Sequence, residues 1–164
     1  MEKLAVDDVE NDIQPAVVRR RLTEPLGLAD FAMNYYELEP GDSFAFAYHN
    51  HELQEEVFYV VSGTATFDTE EGDVAVGPSE AVRFAPGEFQ RGWNRGDERV
   101  VALAFGAPLE YGDGSMLRSC PACEAETEQR LERAEDEAAL VAYCAVCDTE
   151  TGRWYEGSME GEVP

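Results

Sequence analysis

Between Ala16 and Phe105, apolar and polar positions follow one another in short runs, many of them strictly alternating. Val17–Leu22, Phe31–Leu38, Ser43–Tyr48, Glu56–Val61, Thr64–Asp68, Asp73–Val76, Ala81–Phe84, Phe89–Asn94 and Arg99–Phe105 carry this texture. A period of two puts successive side chains on opposite faces of a strand. Turn-forming clusters separate the runs: Glu39-Pro40-Gly41-Asp42, Ser62-Gly63, Glu70-Glu71-Gly72-Asp73, Gly77-Pro78, Ala85-Pro86-Gly87 and Asn94-Arg95-Gly96-Asp97. No convincing helix precedes Gly112. The pattern predicts an all-β antiparallel sandwich or barrel over residues 16–110. Residues 1–15, polar and acidic, read as a flexible arm.

Around Gly112-Asp113-Gly114-Ser115 the texture changes, and a glycine-rich hinge leads into a second unit, residues 115–158. It holds Cys120-Pro121-Ala122-Cys123 and, twenty residues on, Cys144-Ala145-Val146-Cys147. Two tight CxxC turns each present two sulfurs on one side, which suits a structural zinc held by Cys120, Cys123, Cys144 and Cys147. A redox dithiol would call for a βαβ surround, and disulfides for an oxidising compartment. Between the pairs, Leu131, Ala134, Ala138 and Val141 fall at helical spacing. The alternative is a hairpin of Glu128–Arg133 and Ala139–Tyr143 with Glu135-Asp136-Glu137 at its tip. A third strand at Gly152–Tyr155 makes the hairpin the better fit to a four-cysteine ribbon.

Composition narrows the picture. Of 164 residues 44% are hydrophobic, so the acidity does not signal disorder. Thirty-five acidic residues against twelve basic ones give a net charge of −23, and Lys3 is the sole lysine. Such a surface repels phosphate backbones, so nucleic-acid binding is not expected. Molar salt shortens the Debye length to about 3 Å and screens the self-repulsion. The composition resembles that of proteins from extreme halophiles; a basic partner is the lesser alternative. Residues 1–14 lack a basic, apolar leader pattern, and no apolar run nears the ~18 residues that span a bilayer. The expectation is a soluble, cytoplasmic protein that does not engage membranes.

The chemistry concentrates in Tyr48–Gly63. His49 and His51 are the only histidines, and at a separation of two they share one face of a strand. A carboxylate at the mouth of the next strand would complete a two-histidine, one-carboxylate metal site with open positions. Taken alone, a His-x-His pair is better read as an ordinary solvated pair on a strand surface.

The stretch from Gly41 to Asn94 resembles the two motifs of the cupin superfamily, small double-stranded β-helix barrels. The first motif runs Gly, five residues, HxH, three or four residues, Glu, six residues, Gly. Here His49 and His51 are followed by Glu56 and then Gly63, while Ser43 stands where the opening glycine belongs. The spacing to Gly63 selects Glu56 and leaves Glu55 pointing outward. The second motif runs Gly, five residues, PxG, two residues, His, three residues, Asn. Ala85-Pro86-Gly87 and Asn94 occupy it, but Gln90 replaces the histidine.

The resemblance implies a metal site of His49, His51, Glu56 and Gln90 for Fe, Mn, Ni or Zn. A glutamine oxygen suits oxygen-preferring iron or manganese better than nickel, copper or zinc. It implies a metal-dependent enzyme of dioxygenase or isomerase type on a small oxygen-rich substrate. Alternatively, a non-catalytic barrel binds or senses a small ligand while the ribbon docks a protein partner. It also implies a homodimer through the outer sheet, with Phe89 and Trp93 as contacts. Arg83 is open to the barrel mouth or to solvent. No lysine, tyrosine or arginine constellation selects among these chemistries.

Overall fold

The computed structural model describes residues 1–135 and 138–155. Asp136 and Glu137 of the expected hairpin tip, and the last three residues assigned to the C-terminal unit, lie outside the described residues. Among the described residues thirteen strands form two antiparallel sheets, preceded by one short 3-10 turn (Val6–Asp8). β1 (Val18–Arg21), β2 (Ala32–Leu38), β9 (Val100–Ala107), β4 (Glu55–Ser62) and β7 (Ala81–Phe84) lie side by side in that order in one sheet. The other runs β13 (Glu150–Tyr155), β12 (Ala139–Cys144), β11 (Ala125–Arg133), β10 (Met116–Cys120), β3 (Tyr48–His49), β8 (Gln90–Trp93), β5 (Ala65–Thr69), β6 (Val74–Val76). Among the described residues no helix is long and apolar enough to cross a membrane.

Alternation builds the core. Along β9, Val100, Ala102 and Ala104 are buried while the residues between them are partly exposed. Small residues here leave room for rings from the facing strands. Phe44, Phe58 and Phe67 meet at centroid distances of 5.0–5.7 Å, and Phe84 packs against Phe67 at 5.4 Å. Gly63 turns β4 toward β5 with φ +73, and a Cβ there would stand 2.6 Å from the Arg99 carbonyl oxygen. Only glycine meets both conditions.

Eight of the nine strands expected before residue 110 appear within two residues of their expected ends. The exception is Ser43–Tyr48. Six steps along the chain separate Ser43, bridged to Trp93, from His49, paired with Gln90 three steps away on β8. The surplus residues leave the ladder, which lets Phe44 enter the barrel core and sets Phe46 against Trp154 at 4.9 Å. β11 and β12 pair antiparallel, as the hairpin alternative expects, from Gln129↔Cys144 to Arg133↔Leu140.

Two boundaries read differently in three dimensions. The arm is fastened at its C-terminal end: Gln14 is fully buried, Asn11 bridges Arg20, and Asp12 binds Arg19 and Arg21. The glycine-rich hinge is docked, with the Ser115 amide donating to Asn50 Oδ1 and the Asp113 amide to Glu52 Oε2. The ribbon strands then continue the barrel sheet, Met116 pairing with His49 and Leu117 with Tyr48.

Candidate functional site

β3 and β4 bring the expected ligands together. His49 Nε2 stands 3.8 Å and His51 Nε2 3.5 Å from Glu56 Oε2. One donor atom from each of the three residues lies within 4.8 Å of the others. At about 2.1 Å per bond, two donors on one ion stand at most ~4.2 Å apart, so both carboxylate distances fit a shared divalent ion. His49 Nδ1 is 3.1 Å from the Ala47 carbonyl oxygen. A proton on that nitrogen leaves Nε2 as the free lone pair facing the site. Burial pushes the His49 pKa down, favouring the neutral ring that binds metals. Burial opposes ionisation of Glu56, yet the hydrogen bond from His51 and the nearby His49 outweigh it, and its pKa lies below the usual range. Glu55 points away and pairs with Arg83 on the outside of the barrel.

Gln90 reaches the same point from β8. Its Nε2 donates to Glu56 Oε2 at 2.9 Å and lies 3.4 Å from His49 Nε2. Its Oε1 is buried without a hydrogen-bond partner. Turning the amide about its last torsion exchanges the two atoms and offers a neutral oxygen to the centre of the site. That orphaned oxygen fits a role as fourth metal donor. Asn94 serves structure: it is buried, donates Nδ2 to the Leu38 and Glu98 carbonyls, and accepts from the Gly96 amide. Between them Gly92 has no room for a side chain, since a Cβ would stand 2.5 Å from the Phe67 ring.

The family comparison now applies. Residues 34–106 match the model of the cupin domain. The barrel is a cupin domain. A search of curated protein sequences found no match. Among solved structures, a sugar phosphate isomerase of the cupin superfamily from Silicibacter pomeroyi is similar, with TM-score 0.59 and 23% identity over 88% of each chain. The polyketide cyclase RemF from Streptomyces resistomycificus has TM-score 0.60 and 22% identity over 76% of this chain and 90% of its own. A protein with a double-stranded β-helix domain from Klebsiella pneumoniae has TM-score 0.56 and 18% identity over 70% of this chain and 89% of its own. Identities this low attest the fold.

A cavity of about 1130 Å³ opens over the cupin site. The 108–116 segment forms part of its rim, with Tyr111 edge-on to His51 at 5.7 Å. Gln54 lines the cavity from the turn between β3 and β4, held by a 2.6 Å hydrogen bond to the Pro108 carbonyl. Sequence reasoning missed Arg19, Arg21, Asn34 and Tyr36, which line it from β1 and β2. The signal was their common parity: Arg19 pairs with Tyr36 and Arg21 with Asn34.

A second cluster joins Cys120, Cys123, Cys144 and Cys147, with sulfurs within 4.8 Å of one another. Cys120–Cys147 and Cys123–Cys147 are 3.5 Å apart and Cys123–Cys144 3.9 Å. A disulfide needs about 2.05 Å, whereas a zinc tetrahedron with bonds of about 2.3 Å has edges of roughly 3.8 Å. The geometry therefore fits a shared metal ion. Glu124 and Asp148, each directly after a CxxC, have φ of 51 and 60, closing two matching knuckles. The Thr127 hydroxyl beside Cys144 draws its thiol pKa down to about 6, whereas the hydrogen bond to Cys147 raises Cys123 to about 12.

Proposed function

We propose that the barrel is a metal-dependent enzyme of isomerase or dioxygenase type acting on a small oxygen-rich substrate. His49, His51 and Glu56 hold the divalent ion, and Gln90 supplies a neutral oxygen. The observation that carries this reading is the convergence of three ligand-competent side chains on the inner wall of a large cavity, with the Gln90 amide hydrogen-bonded to Glu56 beside them. Two oxygen donors beside two imidazoles favour iron(II) or manganese(II). The ion would polarise a carbonyl or enediolate oxygen of the substrate as a Lewis acid, or bind oxygen beside it. The chain's own residues hold the donors in register and favour the neutral form of His49. The Silicibacter pomeroyi protein, whose name describes a sugar phosphate isomerase, directs the first substrate panel to phosphorylated sugars. The C-terminal unit carries the structural zinc.

Elemental analysis of protein purified without added metal, beside His51→Ala, tests the site. The reading expects one zinc plus a second metal that the variant loses while remaining folded, and turnover of a panel compound by the loaded protein. Unchanged metal in the variant overturns the barrel site. Metal without turnover of sugar phosphates or chelating acids, and without oxygen uptake, replaces catalysis by ligand binding.

A further inference from the structure

We propose that the β1–β2 wall of the cavity is an oxyanion subsite, in which Arg19, supported by Arg21, holds the carboxylate or phosphate end of the substrate. This rests on the reading above for the opposite, metal-facing end of the molecule.

Arg19 and Arg21 are directly opposite Tyr36 and Asn34 in the antiparallel pair. Opposed residues share a face, and all four line the cavity that also contains His49, His51 and Glu56. Arg20, between them, is bound instead to the carbonyls of Asp7 and Val9. Tyr36, paired with Arg19 across the two strands, lines the same cavity as Glu56. The cation thus shares one cavity with the candidate metal ligands.

One carboxylate, Asp12, touches both Arg19 and Arg21, the latter at 2.7 Å. Two guanidinium groups share this one carboxylate in a chain whose net charge is −23. Arg19 is the shielded member, its side chain 17% exposed against 66% for Arg21. Its Nε is buried and has no partner among the described residues. Asp8, Glu10 and Glu24 also line the cavity but are exposed, so water and salt screen them far more than they screen Arg19. A guanidinium on a cavity wall matches the planar or tetrahedral array of acceptors on a carboxylate or phosphate.

A purely structural role, Arg19 clamping the arm through Asp12, predicts that loss of either partner has the same effect. An anion subsite predicts opposite effects, because removing Asp12 frees the cation. Calorimetric titration of metal-free protein with inorganic phosphate and with malonate, at fixed ionic strength, separates the two. Arg19→Gln should bind the preferred anion at least about tenfold more weakly than wild type. Arg19→Lys should recover part of the loss, Asp12→Asn should bind more tightly, and Arg83→Gln on the outer face should match wild type. Whichever anion binds more tightly names the substrate's charged group. No binding by wild type, equal affinity in Arg19→Gln, or weakening in Asp12→Asn would overturn the proposal. Metal content, measured separately on the same variants, keeps this result distinct from failure of the barrel metal site.

Discussion

Gln90 on β8 stands directly across from His49 on β3, and their Nε2 atoms are 3.4 Å apart. This pairing puts a neutral amide where the cupin motif has an imidazole. Gln90→His should tighten binding of nickel or zinc by about tenfold or more, since imidazole is the better ligand for both. Competition against a chromogenic chelator reads the change. Affinity equal to that of wild type would mean that position 90 does not reach the ion.

The ribbon is joined to the barrel through a buried ring. Trp154 is fully buried, meets Phe46 edge-on at 4.9 Å, and lies under Arg118, whose guanidinium is 5.0 Å from the ring centroid. Arg118 also donates to the carbonyls of Phe46 and Thr151. Trp154→Ala should cost about 3–5 kcal/mol of stability, measured by denaturant unfolding. A loss below 1 kcal/mol would mean that the two units do not support one another.

Metal removal at the cysteines should be felt at the histidines. β10 ends on Cys120 and begins on Met116, the partner of His49. Cys120→Ser should release the zinc proposed for this cluster, raise amide exchange across β10 to β12, and weaken the proposed barrel metal binding severalfold. Intact barrel affinity in a zinc-free protein would show that β3 holds its ligands without the ribbon.

Asp12 gives a pH signature. Burial raises its pKa, but Arg19 and Arg21 together outweigh that effect and hold the folded-state value below the ordinary one. A depressed carboxyl pKa adds stability above the unfolded value of about 3.9 and loses it as the pH falls through the folded value. Asp12→Asn should therefore be less stable than wild type at neutral pH, and the gap should close below about pH 4. Thermal unfolding at stepped pH checks both arms; a gap independent of pH would contradict the ion pair.

The barrel was legible because each strand combined period-two alternation with a turn of Gly, Pro or Asp. The clustering of His49, His51 and Glu56 was legible because the only two histidines stand two residues apart and Glu56 alone fits the distance to Gly63. The bulge between Ser43 and His49 was not, since Phe44 and Phe46 alternate as a strand would. β10 was missed for the opposite reason: Met116-Leu117-Arg118-Ser119-Cys120 has little alternation, and the open edge of β3 is what orders it. Arg19 and Arg21 sit in a run of three arginines, where charge hides parity. Only the pairing with β2 shows which of the three face inward.

The short ladder between β10 and β3 also bears on how this barrel can be cut or reused. A fragment ending near Gly112 would retain His49, His51, Glu56 and Gln90, yet the backbone amides and carbonyls of Tyr48 and His49 would lose the strand that satisfies them. Bare edges recruit strands from other copies. The isolated barrel is thus a candidate for self-association beside its own metal ligands, and the ribbon acts as the cover that keeps that edge private.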